Sequence, residues 1–419
     1  MVIFITICIT VFITFIALNL LVGEKHVTKE ITHLYSVNDP RFLRTMGELL
    51  GPAIVGGNQV HALNNGEQIF PAMLAAINKA QKTINFETYI YWSEEVGKRF
   101  SDALSDRARH GVKVHLLIDA VGSSKMDATL VEQMQKAGVE IRKYHPLRWY
   151  DLARLNNRTH RKLLVVDGVI GFTGGVGIAE QWTGNAQDSE HWRDMQFQIE
   201  GPVVAQMQAT LISNWTKTTG KVLHGDDYLP VLNNAGNHPA QVFSSSPSGG
   251  SESMQLMYLL AISAAEHSIY ISSSYFVPDA LMLQTLVSAM QRGVKIRIIT
   301  PGKYIDAEAV RSASRGLWGD LLRAGAEIYE YQPTMFHCKM VVVDELLVSV
   351  GSTNLDERSM RLNDEANLNI YDHDFALEQI ATFEKDLKRS KNISLSQWQQ
   401  RPLKEKLVEH AWSWLGPLL

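Results

Sequence analysis

Two short stretches carry residue types able to do phosphate chemistry, and they share one spacing. His160 and Lys162 are followed by Asp167 and by Gly174-Gly175, and His337 and Lys339 by Asp344 and by Gly351-Ser352. A lysine supplies a fixed cation, Ser and Asn supply hydrogen-bond donors, glycine lets backbone approach closely, and a neutral imidazole is a nucleophile for phosphorus. A lone His-x-Lys is noise. The full pattern, met twice, is not.

Each motif precedes a predicted hairpin. Residues 162–166 and 169–173 are β-rich runs separated by Asp167-Gly168, and the second copy has Asp344-Glu345 in that place. A two-residue turn would set His160 opposite Gly175 and His337 opposite Ser352. With side chains alternating at period two, His337, Lys339, Ser352 and Asn354 then share a face, and His160, Lys162 and Gly175 share its equivalent. Ser352, Asn354, Gly174 and Gly175 are the expected phosphate-binding positions. Asp167 and Asp344 belong to the repeated motif, yet they stand where a turn needs a short polar side chain, so their most economical role is structural. Cys338 should point to the opposite face, into core. Zinc needs three or four close ligands and would be repelled by Lys162 and Lys339, so no metal or other cofactor is expected.

The duplication extends beyond the motifs. Gly111 to Asp119 is echoed by Gly293 to Pro301, and Ala137 to Tyr144 by Ala324 to Tyr331, in the same order. Helix-like segments such as 70–82 and 281–292 alternate with strand-like runs such as 83–91 and 268–276, the pattern of an α/β protein. The expected architecture is two similar α/β/α sandwich halves with mixed sheets, residues 50–235 and 236–400. A polar linker is expected over 216–250, and an amphipathic tail over 401–419, with Leu403, Leu407, Ala411, Trp414, Leu415 and Leu418 near helical spacing. Core packing is the expected place for that tail.

Composition narrows the function classes. At 419 residues with 45% apolar side chains there is ample core for both halves. Lys+Arg 40 against Asp+Glu 44 gives a net charge of −4, which argues against a protein that coats nucleic acid. The two cysteines, Cys8 and Cys338, make no disulfide framework. Residues 1–23 contain no charged side chain and as a helix would run about 34 Å, enough to cross a bilayer, so an N-terminal transmembrane anchor is expected. Lys25, Lys29, Arg41 and Arg44 follow it, which by the positive-inside rule favours a cytoplasmic body.

The duplicated motif resembles the signature of the phospholipase D superfamily over about residues 58–372, and within it the chain looks most like the bacterial cardiolipin synthases. The anchor, the stretch from Asn65-Gly66 to Tyr91, Trp192-Arg-Asp194, Ile199-Glu-Gly-Pro202 and the terminal Gly416-Pro-Leu-Leu419 carry that second likeness. The resemblance implies the superfamily's pseudo-dimer fold and a catalytic set of His160, Lys162, Asp167, His337, Lys339 and Asp344. It also implies that one histidine, taken as His160, forms a phosphohistidine while His337 serves as acid and base. An acid lies downstream of each motif, Asp194 and Glu365, to fix the imidazole tautomers. One departure stands out: the pattern carries Asn after Gly-Gly-x or Gly-Ser-x, which the second copy keeps as Asn354 while the first has Gly177.

The implied reaction joins two molecules of phosphatidylglycerol into cardiolipin and glycerol at the bacterial inner membrane. Anionic phospholipids and the bilayer are then the partners, and nucleic acid is not. The rivals are a phospholipase D-type hydrolase and a phosphodiesterase acting on nucleic acid. Between Arg142 and Lys162 seven basic residues face a single Asp151, alongside Leu147, Trp149, Tyr150, Leu152 and Leu155. This stretch is longer in the first half than in the second, and it could lie on an anionic bilayer and guide headgroups to His160.

Overall fold

Residues 83–88 and 113–119 of the first repeat pair in parallel, 140–144 adds in parallel beside the second, and 163–166 and 170–174 add on the other side as antiparallel neighbours. The second repeat does the same. In a computed structural model, residues 2–21, 27–33, 35–146, 157–247 and 251–414 are described. The first-half strands are β1 (Val55–Asn64), β2 (Thr83–Thr88), β3 (Lys113–Asp119), β4 (Glu140–Tyr144), β5 (Arg158–Thr159), β6 (Leu163–Val166), β7 (Ile170–Gly174) and β8 (Met195–Glu200). The second half contributes β9 (His238–Ser245), β10 (Ser268–Ser273), β11 (Phe276–Val277), β12 (Lys295–Pro301), β13 (Glu327–Tyr331), β14 (Lys339–Val343), β15 (Leu347–Gly351), β16 (Leu355–Asp356), β17 (Asn363–Tyr371) and β18 (Ser390–Asn392).

Along the sheet the first half reads β1-β8-β7-β6-β2-β3-β4 and the second β9-β17-β15-β14-β10-β12-β13-β18. The duplication seen in the sequence is thus a duplication of strand order. The halves are not two separate sheets, however. β9 pairs antiparallel with both β1 and β17, so one mixed sheet runs through the chain. β9 falls inside the stretch expected as a linker; its buried Ala240, Val242 and Phe243 make it a central strand despite polar flanks.

The helices are α1 (Val2–Leu21), α2 (Pro40–Leu50), α3 (Asn65–Lys79), α4 (Glu95–Arg109), α5 (Ala128–Lys136), α6 (Val204–Thr219), α7 (Ser251–Ser263), α8 (Ala280–Gln291), α9 (Glu308–Ala324), α10 (Glu357–Arg361), α11 (His373–Leu387), α12 (Leu395–Gln399) and α13 (Leu403–Trp414). One large apolar cluster sits within each half. A third, including Leu163, Phe197, Met207, Val242, Phe336, Cys338, Val348 and Leu368, draws side chains from both. Each such side chain, fully buried, contributes about 1.5–3 kcal/mol, so the junction between the halves is core and not a hinge.

Three expectations change. The hairpins close with three residues, because Val166 pairs with Ile170 and Val343 with Leu347. Asp167, Gly168, Asp344 and Glu345 all have positive φ, and Val169 and Leu346 donate back to Val166 and Val343. The extra residue in each turn moves the register one position from the two-residue prediction. The tail also turns over. Glu409 is buried against Arg315 and Arg401, and Trp412 packs beside Val310 and Ala313, while Leu403 and Leu407 are exposed. Two buried ion pairs, more than the expected apolar stripe, decide which face docks; Leu415 and Leu418 lie outside the described residues. Finally, the anchor expected over residues 1–23 lies partly outside the described residues, and among those described no helix is long and apolar enough to cross a membrane. The helix expected there is formed as α1, which has no acidic residue in its first turn and no basic residue in its last.

Candidate active site

The backbone brings each motif to the opposite half. β5 pairs in parallel with the start of β17, and the His160 amide donates to the Asp364 carbonyl (2.9 Å), so the first motif is held against the second repeat. Reciprocally, Arg193 N–H donates to Met335 O (2.9 Å) and His337 N–H to Arg193 O (2.7 Å). The side chains follow. His160 Nδ1 lies 2.9 and 3.0 Å from the two carboxylate oxygens of Glu365, and His337 Nδ1 lies 2.7 Å from Asp194 Oδ2. Each histidine therefore takes its acid from the other half.

Both acids are fully buried and themselves held. Glu365 accepts from Ser352 Oγ and from Asn363 Nδ2 (3.1 Å), and Asp194 accepts from Trp182 Nε1 (2.9 Å) and Met195 N (2.8 Å). Burial would raise both carboxyls, but His160 and Lys162 beside Glu365, and His337 and Lys339 beside Asp194, bring them below their ordinary values. An ionised carboxylate at Nδ1 keeps the ring proton there and turns the Nε2 lone pair outward. Both rings open on one cavity of about 590 Å³, which Lys162 and Asn354 also line.

The lysines are placed alike. Lys162 Nζ donates to His160 O and Lys339 Nζ to His337 O, each at 2.7 Å. Burial lowers Lys162 to about 7 and lowers Lys339 as well. Burial also lowers His160 to about 4 and holds His337 below its ordinary value, so the resting imidazoles are neutral at pH 7. Neutral rings beside poised cations suit attack on an anionic diester.

Other expected residues do different work. Gly175 is not a phosphate cradle, since a Cβ there would collide with the Asp194 carboxylate; Gly174 likewise clears Met195 O and Gln196. Ser352 donates to Glu365 and is absent from the cavity wall. Ser352 lies just past the end of β15, where its hydroxyl meets the acid and not the cavity. Asp167 accepts from the amides of Gln81, Lys82 and Thr83 (2.8, 2.7 and 2.9 Å), and Asp344 from those of Glu266, His267 and Ser268 (2.7, 2.8 and 2.8 Å). Both aspartates stand at the turn end of their hairpins, so their place in the catalytic set is corrected to a structural one. Cys338 is buried in the shared core, as expected.

The two phosphate-facing ends differ. Asn354 lies 3.1 Å from Ser274 Oγ, which also accepts from Lys339 Nζ. At the matching position, Gly177, a Cβ would press on the Trp182 ring, which fills the room an Asn would take. Trp182 and Trp192 both stand 5.3 Å from the His337 ring, and Tyr89 meets His160 edge-on at 5.3 Å. Tyr89 and Ser274 carry no sequence signal of their own; each follows directly on a strand, β2 and β10, whose end brings it to the site. Of the basic stretch, Arg158 and Lys162 line the cavity, whereas Arg161 is buried on backbone carbonyls and Arg142 pairs with Glu140. Arg148, Arg154, Asp151 and the apolar residues Leu147, Trp149, Tyr150, Leu152 and Leu155 lie outside the described residues.

A family model described as "Cardiolipin synthase, PLD-like domain" matches residues 73–215 and 258–387, one segment per half. The chain belongs to this family. Similar proteins include a cardiolipin synthase of Geobacillus kaustophilus (strain HTA426), 36% identical over 86% of this chain and 72% of that protein. The major cardiolipin synthase ClsA of Bacillus subtilis (strain 168) is 34% identical over 86% of this chain and 76% of its own length. As a PLD-like cardiolipin synthase family member, the chain is a phosphatidyltransferase of the phospholipase D superfamily. In fold it is similar to the crystal structure of a phosphatidylserine synthase from Haemophilus influenzae Rd KW20, with a TM-score of 0.66 and 14% identity, covering 90% of this chain and 100% of that one.

Proposed function

We propose that the protein makes cardiolipin from two molecules of phosphatidylglycerol with release of glycerol, through a phosphohistidine on His160. The observation that carries the reading is the pair of crossed His-carboxylate couples opening on one cavity. In the first step His160 Nε2 bonds to phosphorus, the bond to the glycerol oxygen breaks, and His337, protonated at Nε2 from solvent once the anionic diester is bound, delivers that proton to the oxygen. In the second, His337 takes the proton from a hydroxyl of another phosphatidylglycerol, whose oxygen attacks phosphorus and expels His160. One phosphodiester replaces another, so no nucleotide is needed to drive the exchange. Lys162 and Lys339 offset the charge that builds on the non-bridging oxygens.

Membrane contact is part of this reading. α1 lacks acidic and basic residues at its ends, and Ile3, Phe4, Ile7, Val11 and Phe12 on it are exposed. We read these exposed apolar side chains as the protein's contact with the bilayer. The test is incubation of the detergent-purified protein with labelled phosphatidylglycerol, alone and mixed with phosphatidylethanolamine, followed by identification of the lipids. Cardiolipin and free glycerol are expected. Phosphatidic acid without cardiolipin would make it a hydrolase, and cleavage of single-stranded DNA without lipid would make it a nuclease.

The pH profile is a second check. Attack needs His160 neutral, which holds above about 4, and charge offset needs Lys162 protonated, which holds below about 7. The value of kcat/KM is expected to fall as pH drops through the first and as it rises through the second. In Lys162→Arg the alkaline limb should shift, because a guanidinium does not titrate there and only loss of the His337 proton remains to set it. An alkaline limb unmoved in that variant would remove Lys162 from the account.

A further inference from the structure

On the reading above, His160, Lys162, His337 and Asn354, which share one cavity wall, take the phosphate of the donor lipid. On the reading above, the acceptor is also a phosphodiester, and its attacking hydroxyl is joined to its own phosphorus through a glycerol backbone only three carbons long. A second anion must therefore rest close to the first, at a short and nearly constant separation. Two like charges so placed in a half-enclosed cavity repel strongly unless each has its own cations.

The cavity wall holds two further guanidinium groups. Arg158 is on β5 and Arg358 on α10, and both line the same cavity as His160 and His337. The backbone keeps them together: Arg158 pairs with Asn363, the first residue of β17, and α10 ends just before it. Between them and the reaction centre stands Tyr89, with its ring 5.3 Å from His160 and 5.6 Å from the Lys162 ammonium. Burial and Asp119 hold the Tyr89 hydroxyl above its ordinary value, and both arginines act against them as nearby cations. Their acidic neighbours have other partners: Asp306, on the same wall, accepts from the Tyr275 hydroxyl (2.8 and 2.7 Å), and the others bind backbone. Asp119 accepts from the amides of Val121, Gly122 and Thr159, and Asp356 from that of Ser359. A guanidinium has five donors in a fork that fits phosphate, more than one carboxylate takes up.

We infer that Arg158 and Arg358, one from each half, form a second phosphodiester site that holds the acceptor lipid, with Tyr89 as the spacer between the two phosphates. The inference rests on phosphatidylglycerol as acceptor. It makes these arginines determinants of transfer to a charged acceptor, distinct from the groups that open the donor.

The experiment compares two acceptors in one tube. Detergent-solubilised full-length protein is given phosphatidylglycerol and labelled glycerol, and both cardiolipin and labelled phosphatidylglycerol are measured. Glycerol is neutral and needs no second anion site. In Arg158→Gln and Arg358→Gln the ratio of cardiolipin to labelled phosphatidylglycerol is expected to fall at least tenfold, and Arg358→Lys, which keeps the charge, should restore part of it. Equal losses of both products, including complete loss of both, or an unchanged ratio would overturn the acceptor site while leaving the substrate reading intact. A wild-type protein that yields phosphatidic acid and no cardiolipin would instead sink the substrate reading, and the acceptor site with it.

Discussion

Glu365→Gln is expected to lower kcat on the order of 10³- to 10⁴-fold, although Glu365 lies 205 positions from His160 in the chain. The amide loses the charge that fixes the Nδ1 proton and can present NH₂ to that nitrogen, turning the ring to the wrong tautomer. Asp194→Asn should disable His337 in the same way. The two are separated with a phosphodiester bearing an activated phenol leaving group, which needs little proton donation. Asp194→Asn should then recover most of the first step, whereas Glu365→Gln should not. In His337→Asn the same substrate should leave a phosphorylated His160 visible by mass spectrometry of the denatured protein. A Glu365→Gln protein within tenfold of wild type, or recovery by Glu365→Gln in place of Asp194→Asn, would contradict the assignment of His160 as nucleophile.

The second large effect falls on stability and spares the chemistry. Asp344 is buried and accepts three successive backbone amides ahead of β10. Removing a charged acceptor strands all three donors, and hydrogen bonds to ionised groups are worth about 1.5–3 kcal/mol each with incomplete additivity, so Asp344→Ala should cost about 3–5 kcal/mol. Asp167→Ala should cost less, because Asp167 is half-exposed and water replaces part of what is lost. The measurement is denaturant unfolding alongside kcat per active site, the latter from burst amplitude. Stability lost with kcat held within about threefold is the expected result. A kcat collapsed in a protein of unaltered stability would return Asp344 to the catalytic set.

Much of the site was legible because its signals are local. His160, Lys162, His337 and Lys339 stand in a repeated spacing, and the apolar runs that became β3 and β12 echo each other residue by residue. Less local features were harder to read. Whether a turn holds two residues or three depends on small differences in backbone energy, and where Ser352 points is decided beyond the end of β15 by its contact with Glu365. Gly175 looked like a place for a ligand because a missing side chain signals close approach without saying what approaches. Here it is Asp194.

By itself the sequence determined the chemistry on offer: two imidazoles, two ammonium groups and two acids, on two copies of one α/β pattern. Spacing along a strand and the choice of side chain are written residue by residue, so they survive without coordinates. Only the tertiary structure decided the pairing, with Glu365 serving His160 and Asp194 serving His337 across the junction. That follows from one sheet closing through β1, β9 and β17 over a shared apolar core, a contact between segments far apart in the chain that no local pattern encodes.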